Sequence, residues 1–448
     1  MLHIHPFSSL LLIGNKAAQV AAPPYDVIST TEARAYAEGR PYTFLRVTRP
    51  ELELPKGTSS DTPEVHARAK ANLDMLVEAN LLRRETAPHI LLYRLIGKGF
   101  KQIGVVGTFD LADYESGVIA RHERTRVDKE RERANHILAC SAHTEPVFLA
   151  HRDDDAIADL VHRDVNDRPK FHFVAPDGIT HTVWIVPNPK EYIEAFARLD
   201  RAYICDGHHR MAAAVTAARE AAAANGGVTP TEATRVLAVI FPISHLQIFA
   251  YNRLVRDLRG ATPQAFLDLL GKVGTLVRTE SPVPTRHGEV CVYLGRDGLG
   301  RDGLGRGELG GSELGGVEPG GGGLGGVEPG GGEPGGGEWW SLSFDPASIP
   351  KNDPIQALDV SLVQSRIFEP LLGIINPRTD ERLDCVGGVR GPSALVEAVD
   401  SGRAAAAFSL FPTSMAELLA VTDAGEIMPP KSTWFEPKLR SGLFVHTF

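Results

Sequence analysis

The stretch Arg201-Ala202-Tyr203-Ile204-Cys205-Asp206-Gly207-His208-His209-Arg210-Met211-Ala212-Ala213-Ala214 decides how this chain is read. Its first five residues form a short apolar strand, and Met211–Ala224 is an alanine-rich run with strong helix propensity. Between them lies a polar loop holding one glycine and two histidines. The loop opens a helix N-terminus, where amides without intrahelical acceptors and the positive end of the helix dipole favour an anion. Gly207 permits close backbone approach, and Arg210 with a histidine would add charge-assisted bonds to a phosphate. Asp206 would repel that phosphate unless it acts as a base, a metal ligand or a ribose contact. As a simpler alternative, Asp206 only caps the helix.

Outward from this loop, strand and helix patterns alternate. Ile90–Leu95 and Ile103–Phe109 read as neighbouring strands, and Val236–Phe241 as a buried one. Pro63–Ala79 reads as a helix with Val65, Ala69, Leu73, Leu76 and Val77 on one face. Pro263–Leu270, Leu358–Phe368 and Ser393–Val399 read as helices, and Ala405–Leu410 as a strand. The expected class is α/β or α+β, a mixed sheet with flanking helices. Residues 1–258 are expected to form a nucleotide-site region and 259–448 a C-terminal α+β region.

Residues 295–338 interrupt this pattern with about half of the chain's 45 glycines. Glycine loses the most backbone entropy on ordering, and this stretch has little side chain to bury in return. It reads as a disordered insertion in the turn of a hairpin between Glu289–Leu294 and Trp339–Phe344. Loop-closure entropy grows slowly with length, so such a position tolerates insertion. Replacing 295–338 by a short turn is expected to leave ligand binding unchanged and Tm unchanged or slightly raised. Loss of folding in that variant would refute the reading.

With 448 residues, 43% hydrophobic and 23% charged, the chain has the composition of an ordinary globular protein. No apolar run reaches the roughly 18 to 20 residues that span a bilayer. The N-terminus has no basic flank or small-residue cleavage site, so a signal peptide is not expected. The four cysteines, Cys140, Cys205, Cys291 and Cys385, are widely spaced, which disfavours a disulfide framework or zinc knuckle. A cytoplasmic protein is expected. The net charge of −9 argues against a general nucleic-acid binder. The expected partner is a small-molecule substrate, with neither nucleic acid nor membrane.

Three further segments carry chemistry. In His122-Glu123-Arg124-Thr125-Arg126-Val127-Asp128-Lys129-Glu130-Arg131-Glu132-Arg133, Arg126 replaces the second histidine of a zinc-protease motif, so no zinc site is expected. If helical, this stretch aligns His122, Arg126, Glu130 and Arg133 on one face, as a phosphate clamp or as a solvated, ion-paired surface. Pro23-Pro24-Tyr25-Asp26-Val27-Ile28-Ser29 approaches a helix near Thr30 in extended form, with Ser29 and Glu32 as a capping box. This places Tyr25 and Asp26 on an entry loop. Met428–Gly442 contains prolines expected to exclude regular structure. Its Lys431, Lys438 and Arg440 would close over an anion, or Trp434 and Phe435 would pack it down as a strap.

Together these segments resemble the signature segments of the bacterial family DUF1015. So do Tyr42–Leu45, Thr144–Phe148, Leu358–Val360, Leu372–Ile374, Pro412-Thr413 and Leu419–Val421. The resemblance spans nearly the whole chain in order, residues 295–338 excepted, and Cys205 stands where the family usually has alanine. That family is more distantly similar to the ParB/sulfiredoxin superfamily, whose members hold nucleotide phosphates on a Gly-x-His-Arg-like loop. Sulfiredoxin's loop is Gly-Gly-Cys-His-Arg; His208 at the cysteine position argues against sulfur-repair chemistry. The resemblance implies nucleotide-dependent phosphoryl transfer to a small hydroxylated metabolite such as free serine, with ATP or ADP and Mg2+. In that reading Gly207, His208, His209 and Arg210 cradle phosphate, and His122, Arg126, Arg133, Lys431 and Lys438 offset charge. Asp26, Glu123 or Asp206 serves as the base or holds magnesium. A nucleotide- or metabolite-binding regulator, and a metal-assisted hydrolase using His122, Asp206 and His208, are the alternatives.

Overall fold

In the computed structural model, residues 1–295 and 336–448 are described. The insertion expected at 295–338 lies almost wholly outside them. Its flanking strands do pair: Glu289–Leu294 and Glu338–Ser343 run antiparallel, with Leu294 opposite Glu338.

The described residues divide into two units. The first comprises Met1–Leu246 and Pro437–Phe448. Its main sheet runs Ile119–Ala120, Ala202–Asp206, Val147–His151, Arg235–Pro242, Phe100–Asp110, Leu91–Gly97, Thr180–Ile185, Phe171–Val174, and Ile4–His5 also pairs with Phe100–Asp110. The sheet is mixed. Ala202–Asp206 is parallel to Ile119–Ala120, and Arg235–Pro242 is parallel to Val147–His151, while the other pairs are antiparallel. Leu92, Val105, Phe109, Leu149, Ile204, Ala238 and Ile240 supply one buried face, covered by Tyr192, Phe196, Met211 and Val215 from helices. Complete burial explains why these strands read as continuous apolar runs rather than alternating ones.

A smaller sheet in the same unit orders Leu82–Arg84, Ser9–Leu12, Phe444–Thr447 and Ala142–His143. It joins the start of the chain to its last residues.

The second unit is built from residues 247–295 and 336–436. Its antiparallel sheet orders Thr275–Thr279, Glu338–Ser343, Glu289–Leu294, Ala406–Leu410, Tyr251–Val255 and Leu383–Gly387. Phe266, Leu270, Phe368 and Phe408 anchor its core. An α/β class with a large mixed sheet and flanking helices is therefore what the chain adopts.

Several local expectations change. The Pro63–Glu78 helix buries Val65, Ala69, Leu73 and Leu76, but Val77 is exposed, one step off the buried stripe. Leu358–Phe368 is not one α-helix: Asp359–Val363 passes into a π-helical turn at Gln364–Phe368 and resumes at Glu369–Leu372. The prolines of 428–442 do not exclude regular structure, because Trp434–Glu436 pairs antiparallel with Gln247–Phe249. Pro430 and Pro437 flank that strand and cost it no ladder hydrogen bond.

Candidate functional site

The helix that follows Asp206 begins at His208 and runs to Ala224, earlier than the alanine run suggests. Gly207 caps it in the left-handed region, φ 89° and ψ 30°. A side chain there would be strained, and its Cβ would lie 3.0 Å from the Arg210 guanidinium. The cap is therefore a glycine, and Asp206 makes no capping bond. The first intrahelical bond runs from the Met211 amide to the Gly207 carbonyl, 2.9 Å. The amides of His208, His209 and Arg210 precede it, in the first turn, where an α-helix supplies no intrahelical acceptor.

Asp206 sits between two cations. Arg210 Nη2 donates to its Oδ2 at 2.7 Å and Lys438 Nζ to its Oδ1 at 3.3 Å. Burial alone would raise this carboxyl's pKa, but Lys438 and Arg210 outweigh that and hold it well below the usual range. Arg210 also donates through Nη1 to the Pro146 carbonyl. Its guanidinium is thus taken up inside the loop, and it braces the strand–helix corner.

His208 is buried, 5% exposed, and its Nε2 has no hydrogen-bond partner among the described residues. Its Nδ1 lies 3.9 Å from Glu123 Oε2, and its ring meets that of His122 edge-on at 4.5 Å. Burial, then His122, drives the His208 pKa well below the ordinary imidazole range. The His208 imidazole is therefore neutral at pH 7, and it would meet a phosphate as an N–H donor rather than as a cation.

His122 is also neutral, pushed down to about 4 by burial, with its ring hydrogen-bonded to the Ile204 backbone. The ordinary value is about 6.5, so as pH falls the unfolded chain takes up this proton first. Stability from this group is unaffected above about pH 7 and is lost between about pH 6.5 and 4. From pH 7 to pH 5 the loss is about 2 kcal/mol. His122→Gln is expected to remove that part of the pH dependence of the unfolding free energy in urea. An unchanged dependence would contradict a neutral, buried His122.

The segment from His122 to Arg133 is not one helix. His122–Arg126 is irregular and the helix spans Val127–Cys140. The charge-rich start offers only Val127 as an apolar residue, and Val127 is 83% exposed. The helical stripe expected to join His122 and Arg126 to Glu130 and Arg133 does not form. The loop nonetheless reaches the site by another route, because the Arg126 amide donates to His209 Nε2 at 3.0 Å. The Arg126 side chain is exposed and forks onto Asp128, 3.1 and 2.6 Å.

Arg133 is buried, donates to Glu132 at 2.7 Å and lies 4.2 Å over the Tyr25 ring. Burial, then Asp26, raises the Tyr25 phenol. Asp26 is exposed, and its charge also acts on Arg210 and Glu145. The Ser29–Glu32 capping box that launches the next helix is present in both of its bonds, 2.7 and 3.2 Å.

The first unit therefore gathers Asp26, His122, Glu123, Arg133, the Asp206–Arg210 loop and Lys438. Arg126 joins through its backbone. Lys431 belongs to the second unit, where its Nζ lies 5.4 Å over the Tyr251 ring. Sequence reasoning missed Glu145 and Ser441, which bond to one another at 2.6 Å. An acidic residue leading into the apolar Pro146-Val147-Phe148 was the available signal. Among the described residues, no three His, Cys, Asp or Glu side chains come together as a metal-ligand set. No described helix is long and apolar enough to cross a membrane.

The family model described as "Protein of unknown function (DUF1015)" matches residues 4–301. The chain belongs to the DUF1015 family. That match includes Tyr25, Asp26, His122–Arg133, Glu145 and Asp206–Arg210, and Lys431 and Lys438 lie beyond it. No curated protein matches this DUF1015 chain. Among solved structures, a mutant free serine kinase in complex with ADP aligns at 11% identity, covering 74% of this chain and 87% of its own, with a TM-score of 0.32. A conserved hypothetical protein from Pyrococcus furiosus gives 11%, 74%, 90% and 0.31. SbnI with a C-terminal truncation, from Staphylococcus aureus, gives 10%, 75%, 85% and 0.36.

Proposed function

We propose that the first unit binds nucleotide phosphate at the start of the His208–Ala224 helix and transfers a phosphoryl group to a small hydroxylated metabolite. The observation that carries this reading is His208. A buried polar nitrogen without a partner is costly, and this one stands in the first turn of a long helix, at the positive end of its dipole. A phosphate oxygen would satisfy that nitrogen and be favoured by the helix N-terminus. Gly207 lets the backbone approach, and Lys438 lies beside Asp206 as the adjoining cation. Such a loop is also what the distant ParB/sulfiredoxin resemblance implies.

Phosphoryl transfer needs positioning, cations near the transferred group and an acceptor for the hydroxyl proton. Asp206 is committed to Arg210 and Lys438, which leaves Glu123 and Asp26 as the better-placed bases. ATP or ADP is the expected donor form. A Mg2+ ion bound with nucleotide usually takes one or two carboxylates and completes its shell with phosphate and water. Asp26 and Glu123 fit that role, since no closed protein cage occurs among the described residues.

The test is calorimetric titration with ADP and ATP, with and without Mg2+, followed by product analysis over a panel of hydroxylated acceptors. Free serine, the acceptor implied by the sequence resemblance, heads the panel. Nucleotide binding with a phosphorylated product is expected. Binding without product on any acceptor would assign a nucleotide-binding regulator instead. No binding at all would remove the phosphate-loop reading.

A further inference from the structure

Glu145 is buried just after the Ala142–His143 strand. Its Oε1 accepts two donors from distant parts of the chain, the Tyr25 amide at 3.3 Å and the Ser441 hydroxyl at 2.6 Å. The next residue, Pro146, offers its carbonyl to Arg210 Nη1. Consecutive residues thus hold the entry loop, the C-terminal strap and the phosphate-binding corner.

Each attachment bears on a charged group of the site. Asp26 follows Tyr25, so the bond to the Tyr25 amide sets the backbone from which Asp26 projects. Lys438 stands three residues before Ser441, on the strap that delivers it to Asp206. Strap and loop are also joined directly, because Ala22 and Ser441 exchange backbone bonds of 3.2 and 2.9 Å. The Tyr25 ring is clamped under Arg133.

We propose that Glu145 is a positioning residue: through Tyr25 and Ser441 it fixes Asp26 and Lys438 against the Asp206–Arg210 loop. This rests on the phosphotransfer reading for its kinetic consequence, but not for its structural one. A buried carboxylate oxygen that takes two donors leaves both unsatisfied when removed. The loop and the strap then lose a common anchor while the sheet beneath them keeps its own bonds. Glutamine retains an amide oxygen able to accept both donors, which makes it the conservative rescue.

Two measurements decide the matter, on the full-length protein. In hydrogen exchange, Glu145→Ala is expected to deprotect residues 22–28 and 437–442 together, with Val147–His151 and Ala202–Asp206 still protected. Ser441→Ala, which leaves Glu145 in place, should deprotect only the strap. It serves as the informative variant if Glu145→Ala does not fold. In kinetics, Glu145→Ala should lower kcat on the order of 100-fold, the loss that follows a misplacement of about 1 Å, with KM for nucleotide little changed. Glu145→Gln should recover most of it.

A purely structural residue would give a general loss of protection and would not split kcat from KM. Unchanged protection of both segments in Glu145→Ala overturns the proposal, as does failure of Glu145→Gln to rescue. If the unmodified protein shows no turnover, the phosphotransfer reading fails and hydrogen exchange alone judges Glu145.

Discussion

Asp206→Asn is expected to destabilise the protein by about 3 kcal/mol, because removing one member of a buried ion pair strands the other. The stranded group is Arg210, whose side chain is 8% exposed against 24% for Asp206. Asparagine still offers an oxygen to one donor, so the loss is the charge rather than every bond. Lys438 is the less affected partner, at the longer distance of 3.3 Å from Asp206. The pH dependence follows in sign. A carboxyl whose folded pKa lies below its unfolded value of about 3.9 contributes stability that is present above that value and is lost as pH falls below it. The parent's stability against urea should therefore fall below about pH 4, and Asp206→Asn should flatten that part of the profile. A variant as stable as the parent at pH 7 would show that the Arg210–Asp206 pair carries no net stability. Nucleotide affinity in this variant separates two roles. Asp206 as a brace predicts that binding falls with the distorted corner; Asp206 merely repelling phosphate predicts that binding tightens.

Gly207→Ala is expected to reduce ADP affinity by more than about 100-fold, close to 3 kcal/mol. Two effects combine. A residue with a Cβ at φ 89° costs about 1–2 kcal/mol, and the added carbon meets the Arg210 guanidinium at 3.0 Å. Relief comes either by rotating the peptide, which turns the first helical amides away, or by moving Arg210 off Asp206 and Pro146. Either movement takes apart the proposed phosphate cradle. Gly178→Ala provides the control. It sits at φ 79° with nothing within 4 Å of its Cβ, so it carries similar backbone strain without a collision. It should lose comparable stability and bind ADP normally. Equal affinity losses in the two variants would mean that general destabilisation, not the corner at Gly207, sets binding. Calorimetry on both proteins at one temperature makes the comparison.

The strand, loop and helix around Asp206 were legible because each depends on neighbours along the chain. An apolar run, a glycine and an alanine-rich helix act within a few residues of one another. The Ser29–Glu32 box is just as local. The hairpin around the insertion was legible for a related reason, since two β-rich segments on either side of a glycine tract have each other as the nearest pairing partners. The start of the helix at Val127 was not. Charges at the required spacing from His122 to Arg133 suit a helix or an ordered loop equally, and the contacts to His208 and His209 decided between them.

What the chain's own order could not show is which distant residues meet. Lys438 lies 232 residues from Asp206, and Ser441 lies 296 from Glu145. Periodicity has no term for such distances. Their encounter follows from Phe444–Thr447 pairing with Ser9–Leu12 and with Ala142–His143, which returns the end of the chain to the first unit. The same limit hid the states of the histidines. A histidine in a polar loop reads as a potential cation, and burial is what holds the His208 and His122 rings in their neutral form. The sequence alone determined the strand, the glycine corner and the helix that follows it. Tertiary structure decided which charges are neutralised there and which residues hold the corner in place, because burial and long-range pairing are properties of the packed chain.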